Sequence, residues 1–202
     1  MKCSPFVRFG FCSLVITGML ACSPAEKTSA EKTDTTTVKV SNPNPFPFYK
    51  SIEIKPGYYF EVLSWGKGID SVGGFLILMS DSVKQNYRSV SVERKGQLVD
   101  AWNMDLDNDG NPEIYVQYVV RKNVNDLNVY EFAANSFNKI SFPGLSSQLK
   151  ETFRGNDKFF VKNGGLFRSL PLQQTKDGKT AAQVKQLEYR LSGNSFSSKE
   201  VE

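Results

Sequence analysis

The chain has 202 residues, 40% of them hydrophobic and 23% charged, with a formal charge of +4; this is the composition of a globular protein rather than a disordered one. It contains no histidine, and its three cysteines, Cys3, Cys12 and Cys22, all lie within the first 22 residues. A domain formed by the remainder has neither imidazole nor thiol, which excludes Ser-His-Asp and Cys-His catalysis, the usual zinc ligand sets and an internal disulfide.

At the N-terminus, Lys2 and Arg8 accompany an apolar run from Phe9 to Ala21, with no acidic residue before Glu26. This is the plan of a signal peptide, and the run is too short to be read first as a membrane-spanning helix. It closes on Met19-Leu20-Ala21-Cys22, which resembles a bacterial lipobox, where cleavage before the cysteine leaves it N-terminal and its thiol acylated. Each buried methylene contributes ~0.8 kcal/mol, so several acyl chains on Cys22 anchor stably to a membrane. Ser23 rather than Asp follows the cysteine, which resembles outer-membrane sorting, so the expected location is the cell envelope, lipid-anchored and facing the periplasm. Removal of residues 1–21 takes two cations and no anion, leaving 23 Lys and Arg against 21 Asp and Glu. That balance, with no basic stripe, argues against nucleic acid as a partner.

Residues 22–45 begin with the lipidated cysteine and continue as a Ser, Thr, Lys, Glu and Pro-rich stretch without aromatics. Such a segment buries too little apolar surface to offset its ordering entropy and reads as a flexible tether. The folded domain is expected over 46–202. Strand patterns follow one another there: Tyr58 to Leu63, Gly74 to Met79, Tyr87 to Arg94, Ile114 to Val120, Asn128 to Phe132, Asn138 to Phe142, Asp157 to Lys162, Gly165 to Leu170 and Val184 to Leu191. Each is short, aromatic or β-branched, and bounded by Gly, Asn, Asp or Ser. Asn163-Gly164 between two of them is a hairpin signal. One short helix is expected over Leu145 to Phe153, and the polar stretch 173–183 reads as a surface loop. About nine strands predict an all-β domain, an antiparallel sandwich or barrel-like fold. A propeller is disfavoured because no repeat has a fixed period.

The most conspicuous polar motif is Asp105-Leu106-Asp107-Asn108-Asp109-Gly110-Asn111-Pro112-Glu113. Its order matches the start of a calcium loop, in which alternate carboxylates converge on one hard cation and glycine permits the sharp turn. An EF-hand is rejected, because its twelfth position is Val116 and the segment from Ile114 to Val120 has a strand pattern where a helix should follow. Two readings stay open. One is a shorter calcium loop with Asp105, Asp107, Asp109 and Glu113 as ligands, resembling those of β-propeller repeats; the other is a strand-to-strand turn whose Asp side chains accept backbone N–H bonds. No cofactor is required, and calcium is the one ion the motifs admit.

The order of several segments resembles that in the periplasmic inhibitors of invertebrate-type lysozyme and their lipoprotein relatives. They are Ser71 to Leu78, Arg94 to Gln97, Asp105 to Val116, Arg121 with Tyr130-Glu131-Phe132, Phe153 to Phe159, Leu166 to Leu172, and Leu187 to Leu191. The resemblance implies a sandwich-like domain that binds a lysozyme-like muramidase and occludes its active-site cleft. Such inhibitors carry a Ser-Gly-x-Tyr stretch after the Asp-rich turn and its strand. This chain has Arg121-Lys122-Asn123-Val124-Asn125-Asp126-Leu127-Asn128 instead. Asn123, Asn125 and Asn128 offer amide hydrogen bonds, Arg121 pairs with carboxylates, and Asp126 would be repelled by an acidic cleft; the stretch is a partner-binding loop or an ordinary polar hairpin connection.

Other residues admit two readings each. Tyr58, Tyr59, Phe60 and Trp65 form either a carbohydrate-stacking platform or, as is commoner at strand spacing, core. Arg154 and Asp157, around Gly155-Asn156, shape either a recognition loop or, as is commoner, a charge pair bracing a turn. Glu53, Glu61, Glu93 and Glu113 show no spacing that makes a glycosidase pair, so the chain reads as a non-enzyme. The alternative to lysozyme inhibition is a calcium-stabilised envelope scaffold or adhesion lipoprotein.

Overall fold

The computed structural model describes residues 45–68, 72–120, 123–176 and 179–201; Cys22 and the tether lie outside them. Three four-stranded antiparallel sheets follow one another along the chain. The first holds β1 (Phe48–Lys55), β2 (Tyr58–Trp65), β3 (Gly74–Asp81) and β4 (Asn86–Glu93) in that order. The second holds β5 (Gln97–Met104), β6 (Glu113–Val120), β7 (Val124–Ala133) and β8 (Ser136–Ile140). After a six-residue helix α1 (Ser147–Thr152), the third holds β9 (Lys158–Lys162), β10 (Gly165–Lys176), β11 (Lys179–Ser192) and β12 (Ser195–Val201).

The all-β expectation holds, with twelve strands among the described residues rather than about nine. Each additional strand hides its period for a physical reason. In β5 the register shifts between Leu98 and Asp100, so its buried residues Leu98 and Ala101 are three apart and the two-residue alternation is lost. The sequence of β12, SFSSKEV, is mostly polar and exposed because the strand closes the edge of its sheet. Prolines at positions 45, 47 and 56 flank β1 and mask the inward phase of Phe48, Ile52 and Ile54. The expected loop over 173–183 is also overturned: backbone pairing between β10 and β11 continues from Leu166↔Tyr189 to Lys176↔Lys179.

Two hydrophobic cores lie on opposite faces of the second sheet. One joins Phe60, Val62, Phe75 and Ile77 of the first sheet to Ile114, Val116 and Tyr130. The other joins Tyr115, Leu127 and Val129 to Leu149 of α1 and to Leu166, Leu170, Leu172, Leu187 and Tyr189 of the third sheet. With both faces covered, β6 is buried along most of its length, which is why its sequence IYVQYVV reads as a nearly continuous apolar run. The aromatic set splits by strand phase: Tyr58 and Phe60 pack with the first core, while Tyr59 and Trp65 occupy the other face of β2.

Candidate metal centre

The eight residues between β5 and β6 form a reversal that needs left-handed backbone at Asn108 (φ 60°) and Gly110 (φ 86°). Asn is among the few side chains that tolerate this region, and glycine adopts it without a Cβ penalty. Asp105 caps the reversal, accepting Asp109 N–H at 3.0 Å and Gly110 N–H at 3.1 Å. Asp109 in turn accepts the backbone and side-chain N–H groups of Asn111 at 2.8 and 2.9 Å. The Pro112 carbonyl accepts Phe132 N–H at 3.0 Å, fixing the loop exit to β7. These are the bonds expected of a structural turn.

Two oxygens are not explained by the turn. Glu113 opens β6 and is fully buried; its Oε2 accepts Leu106 N–H at 2.8 Å, while its Oε1 has no hydrogen-bond partner. Asp107 Oδ1 is likewise buried and unpartnered. One carboxylate oxygen from each of Asp105, Asp107, Asp109 and Glu113 lies within 4.8 Å of the others. Since calcium–oxygen bonds measure about 2.3–2.6 Å, oxygens opposite one another across a calcium ion stand about 4.6–5.2 Å apart, and the four oxygens have the spacing of one shared ligand sphere.

Electrostatics point the same way. Burial, followed by the nearby Asp107 and Asp105 charges, raises the Glu113 pKa to about 7 against the lowering effect of the Leu106 N–H and Tyr115 hydroxyl bonds. Glu131, the direct cross-strand partner of Glu113, is itself buried, and its pKa is raised by desolvation and by Asp109 and Asp107. Crowding several carboxylates around a buried one is costly unless a cation or protons offset the charge. All-oxygen, carboxylate-rich donors suit a hard divalent cation, and the donor set fits calcium. Trp102 stacks on Tyr115 at 5.5 Å beneath the loop, and its buried indole Nε1 has no partner. The loop was visible in sequence, whereas Glu131 was missed. Its signal was a carboxylate in the same strand phase as Leu127 and Val129.

Of the five residues expected to form a partner-binding loop, three lie in a strand. Arg121 lies outside the described residues, as does Lys122. Asn123 sits in the short hairpin with φ 55°, exposed, its amide 3.4 Å from Asn156 Oδ1. Asn125, Asp126 and Asn128 are strand residues of β7, not loop residues. Asn125 donates its N–H to Asp157 Oδ1 at 2.9 Å and its amide to the Asp157 carbonyl at 2.7 Å, and its Oδ1 accepts Gln117 at 2.7 Å. Asp126 accepts the Tyr118 hydroxyl at 3.0 Å and Leu127 N–H at 2.9 Å, and Asn128 is buried.

These bonds belong to a buried polar node that ties β7 to the third sheet. Arg168 Nε pairs with Asp157 Oδ2 at 2.7 Å, both side chains being almost fully buried, and Arg168 Nη2 donates to the Asn125 carbonyl at 2.7 Å. The Phe159 ring lies 4.8 Å from the guanidinium carbon. The expected Arg154–Asp157 brace is therefore replaced by Arg168–Asp157; Arg154 donates to the Glu151 and Phe153 carbonyls. Arg168 falls between Leu166 and Leu170 in the apolar phase of β10, and a charge in that phase was its sequence signal.

No family model, no curated protein and no solved structure matches the chain.

Proposed function

We propose that this chain is a calcium-holding, non-enzymatic β-domain of the cell envelope, tethered through acylated Cys22, that acts by binding another protein. The observation that carries the calcium assignment is the grouping of one carboxylate oxygen from each of Asp105, Asp107, Asp109 and the fully buried Glu113, beside unpartnered oxygens on Glu113 and Asp107. The role of the ion is structural: it offsets the carboxylate charge and fixes the β5–β6 connection against the middle sheet. The remaining coordination, which for calcium totals about six to eight oxygens, falls to backbone carbonyls and water. The absence of imidazole and thiol from residues 23–202 supports a binding role over catalysis.

Titration of the chelator-treated chain with calcium tests this reading. The expected result is a saturable binding heat and a higher Tm, both lost in Asp107→Asn/Glu113→Gln. A Tm indifferent to calcium and to chelator, with no binding heat, refutes it. The ordered segments that resemble lysozyme inhibitors make a muramidase the first partner to assay. The internal bonds of Asn125 and Asp126 mean that substitutions there must be checked for stability before a lost interaction is assigned to the partner.

A further inference from the structure

The first sheet has one face in the core and one face toward solvent. Cross-strand pairing defines the outer face as four rows: Glu53–Tyr59–Ser80–Tyr87, Ser51–Glu61–Leu78–Ser89, Tyr49–Leu63–Leu76–Ser91 and Trp65–Gly74–Glu93. A polar exterior would be expected at these positions, since β1 to β4 alternate in phase with a core on the other side. Instead Leu63, Leu76 and Leu78 form a half-buried centre. Tyr49 and Trp65 are 43% and 42% exposed, and Tyr87 is 71% exposed. Trp65 is held across its cross-strand partner: a Cβ on Gly74 would come within 2.4 Å of the indole. The glycine therefore lets the ring lie against the sheet.

Among the outward-facing strand residues, charge has one sign. The outward phase of the four strands holds Glu53, Glu61 and Glu93 and no Lys or Arg. The strand cations serve the other side or the edges: Lys50 pairs with Asp100 at 2.5 Å, and Arg88 bonds Asn86 and the Tyr87 carbonyl. Tyr49 donates its hydroxyl to Glu61, fixing that carboxylate beside the leucines. An apolar centre carrying Tyr and Trp within a polar rim is the anatomy of a protein interface.

We infer that the outer face of β1 to β4 is a docking surface for a basic protein, whose apolar contact covers Leu63, Leu76 and Leu78 while its Lys or Arg side chains meet Glu53, Glu61 and Glu93. A second copy of this chain is disfavoured because it would oppose acidic face to acidic face. A glycan is disfavoured because the leucine centre offers no hydrogen bonds to hydroxyls. This surface deepens the reading of the chain as a protein-binding module and does not depend on the cation.

The test measures binding of the full-length chain to three basic proteins, chicken-type lysozyme, cytochrome c and ribonuclease A. An acidic protein of similar size and soluble peptidoglycan fragments serve as controls. Expected is micromolar or tighter binding to at least one basic protein, weakened by salt. It should fall at least tenfold in Leu76→Lys and severalfold in Glu61→Gln/Glu93→Gln, with unchanged circular dichroism. Tyr87→Lys, at the most exposed of the aromatics, repeats the test should Leu76→Lys fold poorly. Binding that survives these changes overturns the surface and leaves the module reading standing. No binding to any of the three basic proteins overturns the inference and leaves the module reading standing. Capture of peptidoglycan fragments, or dimerisation abolished by Leu76→Lys, assigns the face to another occupant and overturns the inference.

Discussion

Replacement of Glu113 by Gln should invert the order of stability between calcium-free and calcium-loaded protein. In the folded chain without cation, the Glu113 pKa is raised from 4.5 to about 7, with burial as the leading cause. At ~1.36 kcal/mol per pH unit, that rise corresponds to about 3 kcal/mol. The folded state holds its proton more tightly than the unfolded state does, so this contribution is complete below pH 4.5, falls as pH rises, and is lost above about pH 7. Gln carries no charge to bury, so Glu113→Gln should show no such decline. In chelator at pH 8 the variant should be the more stable by up to about 3 kcal/mol, or about 6–12 °C in Tm for a domain of this size. Calcium adds about 2.7 kcal/mol to wild type at a hundredfold excess over Kd and about 4.1 kcal/mol at a thousandfold excess. The wild-type curve should therefore overtake that of the variant between these concentrations. Thermal melts of both proteins at pH 4 and pH 8, each with chelator and with graded calcium, give the comparison. Parallel Tm shifts in the two proteins across all conditions would refute the assignment of Glu113 as the oxygen that makes calcium necessary.

Three further outcomes follow from the packing. Arg168→Ala leaves Asp157 buried without its cation and should cost about 3–5 kcal/mol in urea denaturation, whereas Arg168→Met/Asp157→Leu should recover most of it. Asn125→Ala removes the side-chain bonds to the Asp157 carbonyl and from Gln117; a loss of about 1–3 kcal/mol in urea, larger than for exposed Asn123→Ala, is expected. Gly96→Ala would place a Cβ 2.3 Å from the Val119 carbonyl oxygen, a backbone contact with little room to relax, and a loss of about 1–3 kcal/mol should appear as a lower denaturation midpoint.

Local patterns were legible in the sequence, and the relations between distant segments were not. The acidic loop could be read because its four carboxylates lie between positions 105 and 113 and need only one turn to converge. Strands β2, β3 and β4 were equally visible, being apolar or alternating between turn residues. The bulge in β5 and the polar edge in β12 erased the same signal, and the polar end of the β10–β11 hairpin looked like loop because its sequence has no apolar period. For Asn125 and Asp126, polarity suggested an open loop, yet their partners Asp157 and Tyr118 come from the connection before β9 and from across the hairpin. The outer face of the first sheet required register: only pairing brings Tyr49, Leu63 and Leu76 into one row.

Because each sheet is made of four consecutive strands, every step of strand pairing is the closure of a hairpin between chain neighbours. The entropy of bringing distant segments together falls on stacking the layers and on the isolated bridges Ser141↔Ser195 and Phe153↔Leu172. A chain emerging N-terminus first can complete β1 to β4 before β5 is available, then the second ladder, then the third. The middle sheet, apolar on both faces, is the species most exposed to aggregation until the third has docked. Arg168 and Asp157, both from the last third of the chain and bonded to Asn125 of the middle sheet, give that final docking step a polar register that leucine contacts alone do not specify.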